Sequence, residues 1–500
     1  MDAMPAPAVT AAGGNRTAAG FFVRPAEWLM VACILAAAVL ALWQAAAEAR
    51  LPFQLDYEEG NILNAGWRIV SGETPYPDPQ AFPNALNPYG PIGYWLTALG
   101  VKVGGVSFTL PRLGNIACGL AIATLLALLV LHCTASRLLA ASFGMYFLAN
   151  AVTRTWIPLL RVDMLAIALS LAGLWLCLRS EGRRWPVVAA LFAAALFVKY
   201  TALAAPAACF VWLILRRDSR RALRLAGATG ALCVAGFVAM QAGTGGDFFF
   251  HMFRTHPDPW TLRRLLGIFV LVEPSMVALA PLLLAFLVLG SWWKSERARA
   301  AALYLICACG VVLVTGGKAG SFINHFLEPI VACALAAALG YQALVAMPRT
   351  PRLAPLLPLT VGMAALFLTG AFTQDARVVP LNVSDCAELY RSVHDSGAKQ
   401  VLAENVGVVA LAGRTVWDSN PFVLTQLVRT KAISGEPLER MVEERRFDMI
   451  VLSDEPEAMK LNGSRRWWGR VVNAMDANYR VARICDCAEA NFVLVPKARP

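Results

Sequence analysis

The segment Leu55-Asp56-Tyr57-Glu58-Glu59-Gly60-Asn61 follows an apolar run at 28–47 and is answered downstream by Asn87-Pro88-Tyr89-Gly90-Pro91. A run of about 20 apolar residues is what a membrane-crossing helix requires. Acidic groups beside such a run are costly unless they face water or a partner, so three carboxylates within four residues point to chemistry at a membrane lip.

Outward from this segment the chain is 58% hydrophobic and 15% charged, with a mean hydropathy of +0.56. Further apolar runs fall at 110–133, 138–152, 164–178, 186–198, 201–215, 222–240, 265–292, 300–315, 322–347 and 353–372. The expectation is a polytopic α-helical membrane protein of about eleven transmembrane helices, and a soluble fold is excluded. Residues 1–27 read as a cytoplasmic leader and 28–372 as the transmembrane domain. The first run lacks a small-residue cleavage site in the right place and is expected to stay as an anchor.

Charge orients the spans. Basic connectors around Arg179, Arg183 and Arg184, Arg216 to Arg221, Lys294 to Arg299, and Arg349 to Arg352 alternate with base-poor ones. Basic residues are retained in the cytoplasm, which places the N-terminus inside and, with an odd number of spans, the C-terminus outside. Residues 373–500 hold 17 basic and 17 acidic residues, so the net charge of +11 resides wholly in the membrane part. That excess reflects topology, and a nucleic-acid partner is not expected. The Ala- and Arg-rich composition suggests a bacterial inner membrane with a periplasmic outside.

After residue 372 the hydropathy drops. Alternating stretches at 400–403, 448–452, 479–484 and 491–495 read as strands, and 421–429 and 438–445 as helices, giving a small outer α/β domain over 373–500. Gly407 and Gly413 lack the spacing of a dinucleotide fingerprint, so scaffolding or acceptor docking suits this domain better than catalysis. Cys386, Cys485 and Cys487 lie here, and in an oxidising compartment one disulfide from Cys386 to Cys485 or Cys487 would tie the domain's two ends.

The first outer loop, 50–109, has its own pattern. Ile62, Leu63, Gly66, Ile69 and Val70 follow a helical period over 58–71, opposite Glu58, Asn61, Asn64, Arg68 and Ser71. A helix lying in the membrane interface is expected, then a link containing six prolines between Gly72 and Pro91, then a second short amphipathic piece with Tyr94 and Trp95. The acids have two readings. They cap a helix start, where the dipole favours them; or they act as a general base or as cation ligands, with Asp56 and Glu59 as the pair that Mg2+ or Mn2+ would use.

Together, Asp56-Tyr57-Glu58-Glu59-Gly60, Ser71-Gly72-Glu73-Thr74-Pro75-Tyr76-Pro77-Asp78, Tyr89-Gly90-Pro91 and Leu110-Pro111-Arg112-Leu113 resemble the GT-C superfamily of integral-membrane glycosyltransferases, relatives of the protein O-mannosyltransferases and the lipid A aminoarabinose transferase. The resemblance implies sugar transfer from a polyprenyl-phosphate-linked donor to a glycan, lipid or protein acceptor on the outer face, with inversion. It makes Asp56, which matches the family's first-loop acidic residue, the general base. Glu58, Glu59 and Tyr89 are candidate substrate contacts, with Glu58 and Glu59 readable equally as metal ligands or as a capped helix start.

A leaving lipid phosphate needs cations. Arg154, Arg161, Lys199, Arg254, Arg263, Arg264 and Lys318 all sit at outer span ends, against the orientation rule. Lys199 and Lys318 rank above Arg161, which Asp163 can neutralise locally. Lys318, Asn324, His325 and Glu328 enter one span together, Asn324 and Glu328 at i,i+4 and His325 and Glu328 at i,i+3. In the resembling family this late loop borders the donor site, which implies phosphate or sugar binding here. His251 and His256 flank an aromatic stretch read as a lid rather than a zinc site.

Two other classes compete. A secondary transporter of an anionic or lipid-linked solute would show repeated halves with broken helices at the midplane, whereas here the acids gather in the outer loop. A non-catalytic receptor or assembly protein would not depend on Asp56.

Overall fold

The computed structural model describes residues 18–255, 259–290, 292–293, 295–347, 382–487 and 489–498. Helices fall on ten of the eleven apolar runs; the run at 353–372 lies outside the described residues. Six are long and apolar enough to cross a membrane: Pro25–Ala49, Thr109–Thr134, Ser219–Gly243, Leu262–Leu289, Glu296–Thr315 and Ile323–Val345. Arg137–Ala149, Trp185–Val198 and Ala204–Leu215 are apolar but shorter. This is a multi-pass membrane protein.

In chain order the helices are α1 (Ala18–Ala49), α2 (Glu59–Val70), α3 (Pro91–Gly104), α4 (Thr109–Thr134), α5 (Arg137–Ala149), α6 (Ala151–Trp156), α7 (Asp163–Arg179), α8 (Trp185–Val198), α9 (Ala204–Leu215), α10 (Ser219–Gly243), α11 (Leu262–Met276), α12 (Ala280–Leu289), α13 (Glu296–Thr315) and α14 (Leu327–Val345). Polar residues cap helix starts: between the apolar runs Ser136 accepts from Leu139 N–H, Asp218 from Arg221, Thr261 from Arg264 and Ser295 from Ala298, and inside the run at 138–152 Asn150 accepts from Val152 to start α6. Helix α14 is the central post, buried on every side from Leu327 to Tyr341. At Gly340 a Cβ would lie 1.9 Å from the Leu282 carbonyl, so α14 and α12 meet backbone to backbone.

Near the C-terminus a four-stranded sheet has the order β1 (Val401–Ala403), β2 (Met449–Leu452), β4 (Glu489–Pro496), β3 (Tyr479–Cys487), with β1 parallel to β2 and the other pairs antiparallel. These are the four expected strands, and Pro421–Arg429 and Glu436–Glu443 are the two expected helices. Cys386 bonds Cys487, leaving Cys485 buried and free. The bond closes a separation of 101 residues. Cys386→Ser is therefore expected to cost about 2–4 kcal/mol in thermal unfolding of the C-terminal part.

The expected interfacial helix forms as α2, but its setting differs. Both faces are buried from Glu59 to Gly66. Gly66 presses on Thr97 and Ala98 of α3, while a Cβ on Gly60 would sit 2.3 Å from the Gly407 nitrogen. The polar face is covered because the sheet region docks on it: Gly407 N–H donates to Gln54 Oε1 at 2.7 Å, Asn84 N–H to the Trp417 carbonyl at 2.9 Å, and Leu86 N–H to Ser419 Oγ at 2.9 Å. Helix α2 is thus sandwiched between α3 and the sheet region, where polar groups need protein partners instead of water.

Candidate active site

The three acids divide by partner. Glu59 is fully buried and ion-pairs with fully buried Arg112 of α4: Arg112 Nε donates to Glu59 Oε1 at 2.8 Å and Nη2 to Oε2 at 2.7 Å. The backbone N–H groups of Leu160 and Leu55 donate to the same carboxylate, each at 2.6 Å. Arg112 also donates to the Leu51 carbonyl at 2.7 Å and the Phe53 carbonyl at 2.6 Å, and its guanidinium lies 4.6 Å over the Phe108 ring. This lattice pins the end of α1, the loop start, α4 and the chain before α7 to one point. Glu59 has no oxygen left for a substrate or cation, which corrects its expected binding role.

Glu58 is buried and accepts from Asn61 Nδ2 at 2.8 Å and from Asn420 Nδ2 at 3.1 Å. Burial raises its pKa. Asp56 differs: Oδ1 takes the Glu58 N–H at 3.2 Å and stands 3.1 Å from Arg161 Nε, while nothing among the described residues bonds Oδ2, and the side chain keeps 22% exposure. Its pKa is raised, first by burial, with Arg161 pulling the other way. Asp56 is the acid of the three with an oxygen to offer.

Arg161 is the cation of this lip. Its contact with Asp56 is one of charge rather than a directed hydrogen bond; Nη1 is buried without a hydrogen-bond partner, and the guanidinium sits 5.0 Å over the Trp156 ring. Asp56, Tyr89, Glu58 and Asp163 all act on it electrostatically and hold its pKa above the ordinary arginine range. Asp163 pairs with Lys199 instead, at 2.6 Å, and accepts from Asn324 Nδ2 at 2.9 Å and Trp156 Nε1 at 3.1 Å. Arg161 and Asp163, two residues apart in sequence, thus take different direct partners, so the local pair expected between them is replaced by Arg161 with Asp56 and Asp163 with Lys199.

Tyr89 stands in the Asn87 to Pro91 turn, which is fixed by Gly90. A Cβ there would lie 1.9 Å from the Phe197 carbonyl, and Gly90 N–H donates to the Val198 carbonyl at 3.1 Å. Only glycine allows this approach, which brings Tyr89 and Lys199 to the same lip. The Tyr89 phenol is held unionised by burial and faces the Arg161 group.

The late loop splits up. Residues Ile323–Phe326 form a 3-10 turn before α14, so the expected i,i+4 and i,i+3 pairs do not form. Asn324 turns to Asp163, His325 Nδ1 lies 2.9 Å from Thr315 Oγ1, and Glu328 turns into the bundle to take the Tyr304 hydroxyl at 3.3 Å. The Lys318 side chain makes no hydrogen bond or ion pair among the described residues, and it acts on His325 through charge. Asp56, Glu58, Tyr89, Lys199, Asn324 and His325 are thus joined through Arg161 and Asp163, with Lys318 beside His325 and Glu328 set back.

His251 is no lid residue. Fully buried, it takes the Asn87 N–H on Nδ1 at 3.2 Å, so Nε2 carries the proton and donates to the Pro77 carbonyl at 2.8 Å. Burial lowers its pKa to about 4. It staples the proline-rich link in place; His256 lies outside the described residues.

Among the described residues no three His, Cys, Asp or Glu side chains converge to hold a metal. With Glu59 spent on Arg112 and Glu58 on two amides, Asp56 and Glu59 do not form a chelating pair.

An apolar groove of about 240 Å³ runs from this lip between α3, the start of α4 and the chain entering α7, lined by Leu96, Leu99, Val103, Leu110 and Leu165 with Arg161 at its head. Leu96, Leu99 and Val103 are exposed, as lipid-facing residues would be.

Sequence reading missed Arg112, Asp163 and Asn420 as parts of the site. Arg112 and Asp163 do leave a signal, a charge in the first turn of an apolar run; Asn420 leaves none.

The site is thus an acid and a cation at the head of an apolar groove in a multi-pass helical bundle. Residues 87–241 match the family model for dolichyl-phosphate-mannose-protein mannosyltransferase. The chain is similar in structure to ArnT from Cupriavidus metallidurans in the apo state (TM-score 0.64, 12% identity, 92% of this chain and 97% of that one) and bound to undecaprenyl phosphate (TM-score 0.62, with the same identity and coverage). It also resembles the Archaeoglobus fulgidus oligosaccharyltransferase tethered with an acceptor peptide (TM-score 0.52, 11% identity, 93% and 74%). No curated protein matches the chain in sequence. The fold is that of the GT-C membrane glycosyltransferases, as the resemblance implied.

Proposed function

We propose that this protein is a glycosyltransferase that moves a sugar from a polyprenyl-phosphate-linked donor to an acceptor hydroxyl, with Asp56 as general base. The observation that carries the reading is the pairing of an open Asp56 oxygen with Arg161 at the head of an apolar groove. The similar ArnT structure bound to undecaprenyl phosphate supports a lipid phosphate as the donor's carrier.

In this reading the prenyl tail lies along Leu96, Leu99 and Val103 and the phosphate meets Arg161. The acceptor oxygen attacks the anomeric carbon from the face opposite the phosphate and inverts it. As the new C–O bond forms, the hydroxyl proton passes to Asp56 Oδ2. The sugar–phosphate bond breaks with its electron pair on the phosphate oxygen, where Arg161, with Lys199 and Tyr89 nearby, offsets the charge.

The Cys386–Cys487 bond supports an oxidising outside for the sheet region, and the basic ends of α7, α9 and α10 support a cytoplasmic opposite end. In this reading the lip is periplasmic, in a bacterial inner membrane. The test is a reconstitution with polyprenyl-phosphate sugars and candidate acceptors, scored by acceptor-dependent release of polyprenyl phosphate. Arg161→Gln is expected to lower kcat/KM for the donor about 10²-fold. An Arg161→Gln protein with unchanged donor kinetics would remove Arg161 from the phosphate site.

A further inference from the structure

At the end of the bundle opposite the lip, the C-terminal ends of α4, α7 and α9 and the start of α13 surround a polar pocket of about 470 Å³. Arg179, Arg216 and Arg297 line it, with Glu181 and Glu296. Arg216 is shared by the two glutamates at 3.5 Å each. Arg179 and Arg297 have no carboxylate partner among the described residues. The three guanidinium groups outnumber the two carboxylates by one, and Arg179 and Arg297 make no direct ion pair among the described residues, so the pocket keeps a net positive charge.

Its inner wall adds an independent observation. Trp212 is 5% exposed, and its indole Nε1–H is buried without a hydrogen-bond partner among the described residues. Such an orphaned donor is costly unless a ligand takes it. The Arg216 guanidinium rests 4.8 Å over the Trp212 ring, and that of Arg179 5.2 Å over Trp175, so two of the cations are shelved on aromatic rings instead of ranging freely in water. A snorkelling arginine needs neither a pocket nor an orphaned N–H behind it.

We propose that this pocket binds the phosphate of an anionic membrane lipid, with Arg179 and Arg297 as its charge partners and Trp212 Nε1–H as a donor at its base. The site is at the far end of the bundle from Asp56, and the inference stands apart from the sugar-transfer reading. A lipid phosphodiester fits better than a soluble anion because the pocket opens at helix ends, at the level where headgroups lie. Guanidinium groups suit phosphate because they present several donors in one plane.

The test uses the full-length protein in detergent. Native mass spectrometry would follow titration with phosphatidylglycerol or phosphatidylcholine for the wild type, Arg179→Gln/Arg297→Gln and Trp212→Phe. The double variant should bind phosphatidylglycerol about thirtyfold more weakly, at about a factor of five to six per arginine, and phosphatidylcholine unchanged. Trp212→Phe keeps the ring and should weaken phosphatidylglycerol binding several-fold, with thermal midpoints in phosphatidylcholine showing that each variant is folded. A second arm adds inorganic phosphate without lipid: a wild-type thermal shift that the double variant lacks would assign the same pocket to free phosphate. Equal responses of wild type and double variant to both phosphatidylglycerol and inorganic phosphate would overturn the proposal.

Discussion

Arg112→Ala is expected to be the most damaging single change to the protein's stability. It would leave the Glu59 carboxylate buried with no countercharge and strip the Leu51 and Phe53 carbonyls of their donor. Breaking one side of a buried ion pair costs about 3–5 kcal/mol, because the remaining charge is left in a low-dielectric interior. That is a large part of the margin of a folded domain. The expected readouts are a fall in thermal midpoint and faster proteolysis between α1 and α2, where the pinned loop would come loose. Arg112→Lys should recover little, since an ammonium cannot make the paired contacts and reach both carbonyls. An Arg112→Ala protein as stable as the wild type would show that the lattice does not hold the lip together.

The second large effect is on the chemistry. Asp56→Asn keeps the side chain's shape but removes the base, and the expected loss in kcat is about 10³-fold, within the range for a positioned general base. The pH dependence follows from burial. Only the ionised carboxylate accepts the proton, and its pKa is raised above the ordinary 3.8, so the acid limb of kcat/KM should rise through a pKa above that of a free aspartate. In Asp56→Asn that limb should vanish. Stability runs the other way: a carboxyl harder to ionise in the folded state favours folding when protonated, and that contribution is lost as pH rises through the raised pKa. The asparagine variant is therefore expected to be at least as stable as the wild type at neutral pH, which separates lost activity from lost fold.

The parts of this molecule that were legible in the sequence are those set by local pattern. Apolar runs became helices and short alternating stretches became strands, because burial acts on each segment's own periodicity. The importance of residues 55–61 was legible because charge beside an apolar span is expensive wherever it falls. Pairings were not legible. Glu59 and Arg112 are 53 residues apart, and Glu58 and Asn420 are 362 apart, so nothing local distinguishes a structural carboxylate from a reactive one. Arg161 and Asp163 show the reverse case: closeness in sequence suggests a direct pair, whereas the fold sets Arg161 against Asp56 and Asp163 against Lys199. The late loop misled for a third reason: a 3-10 turn at Ile323–Phe326 breaks the spacing on which the i,i+4 reading rests.

These pairings change what the opening acids mean. Glu59 builds the lip, Glu58 joins it to the sheet region through Asn420, and Asp56 is left facing outward beside Arg161. The division of labour rests on which oxygens are already bonded, and it is open to measurement.

The most direct measurement is single-turnover transfer from a labelled polyprenyl-phosphate sugar by reconstituted wild type and Asp56→Asn side by side, each first shown to retain the Cys386–Cys487 bond and its thermal midpoint. The account predicts labelled product and free polyprenyl phosphate from the wild type and about 10³-fold slower formation of both from Asp56→Asn. Equal rates from the two proteins would contradict it.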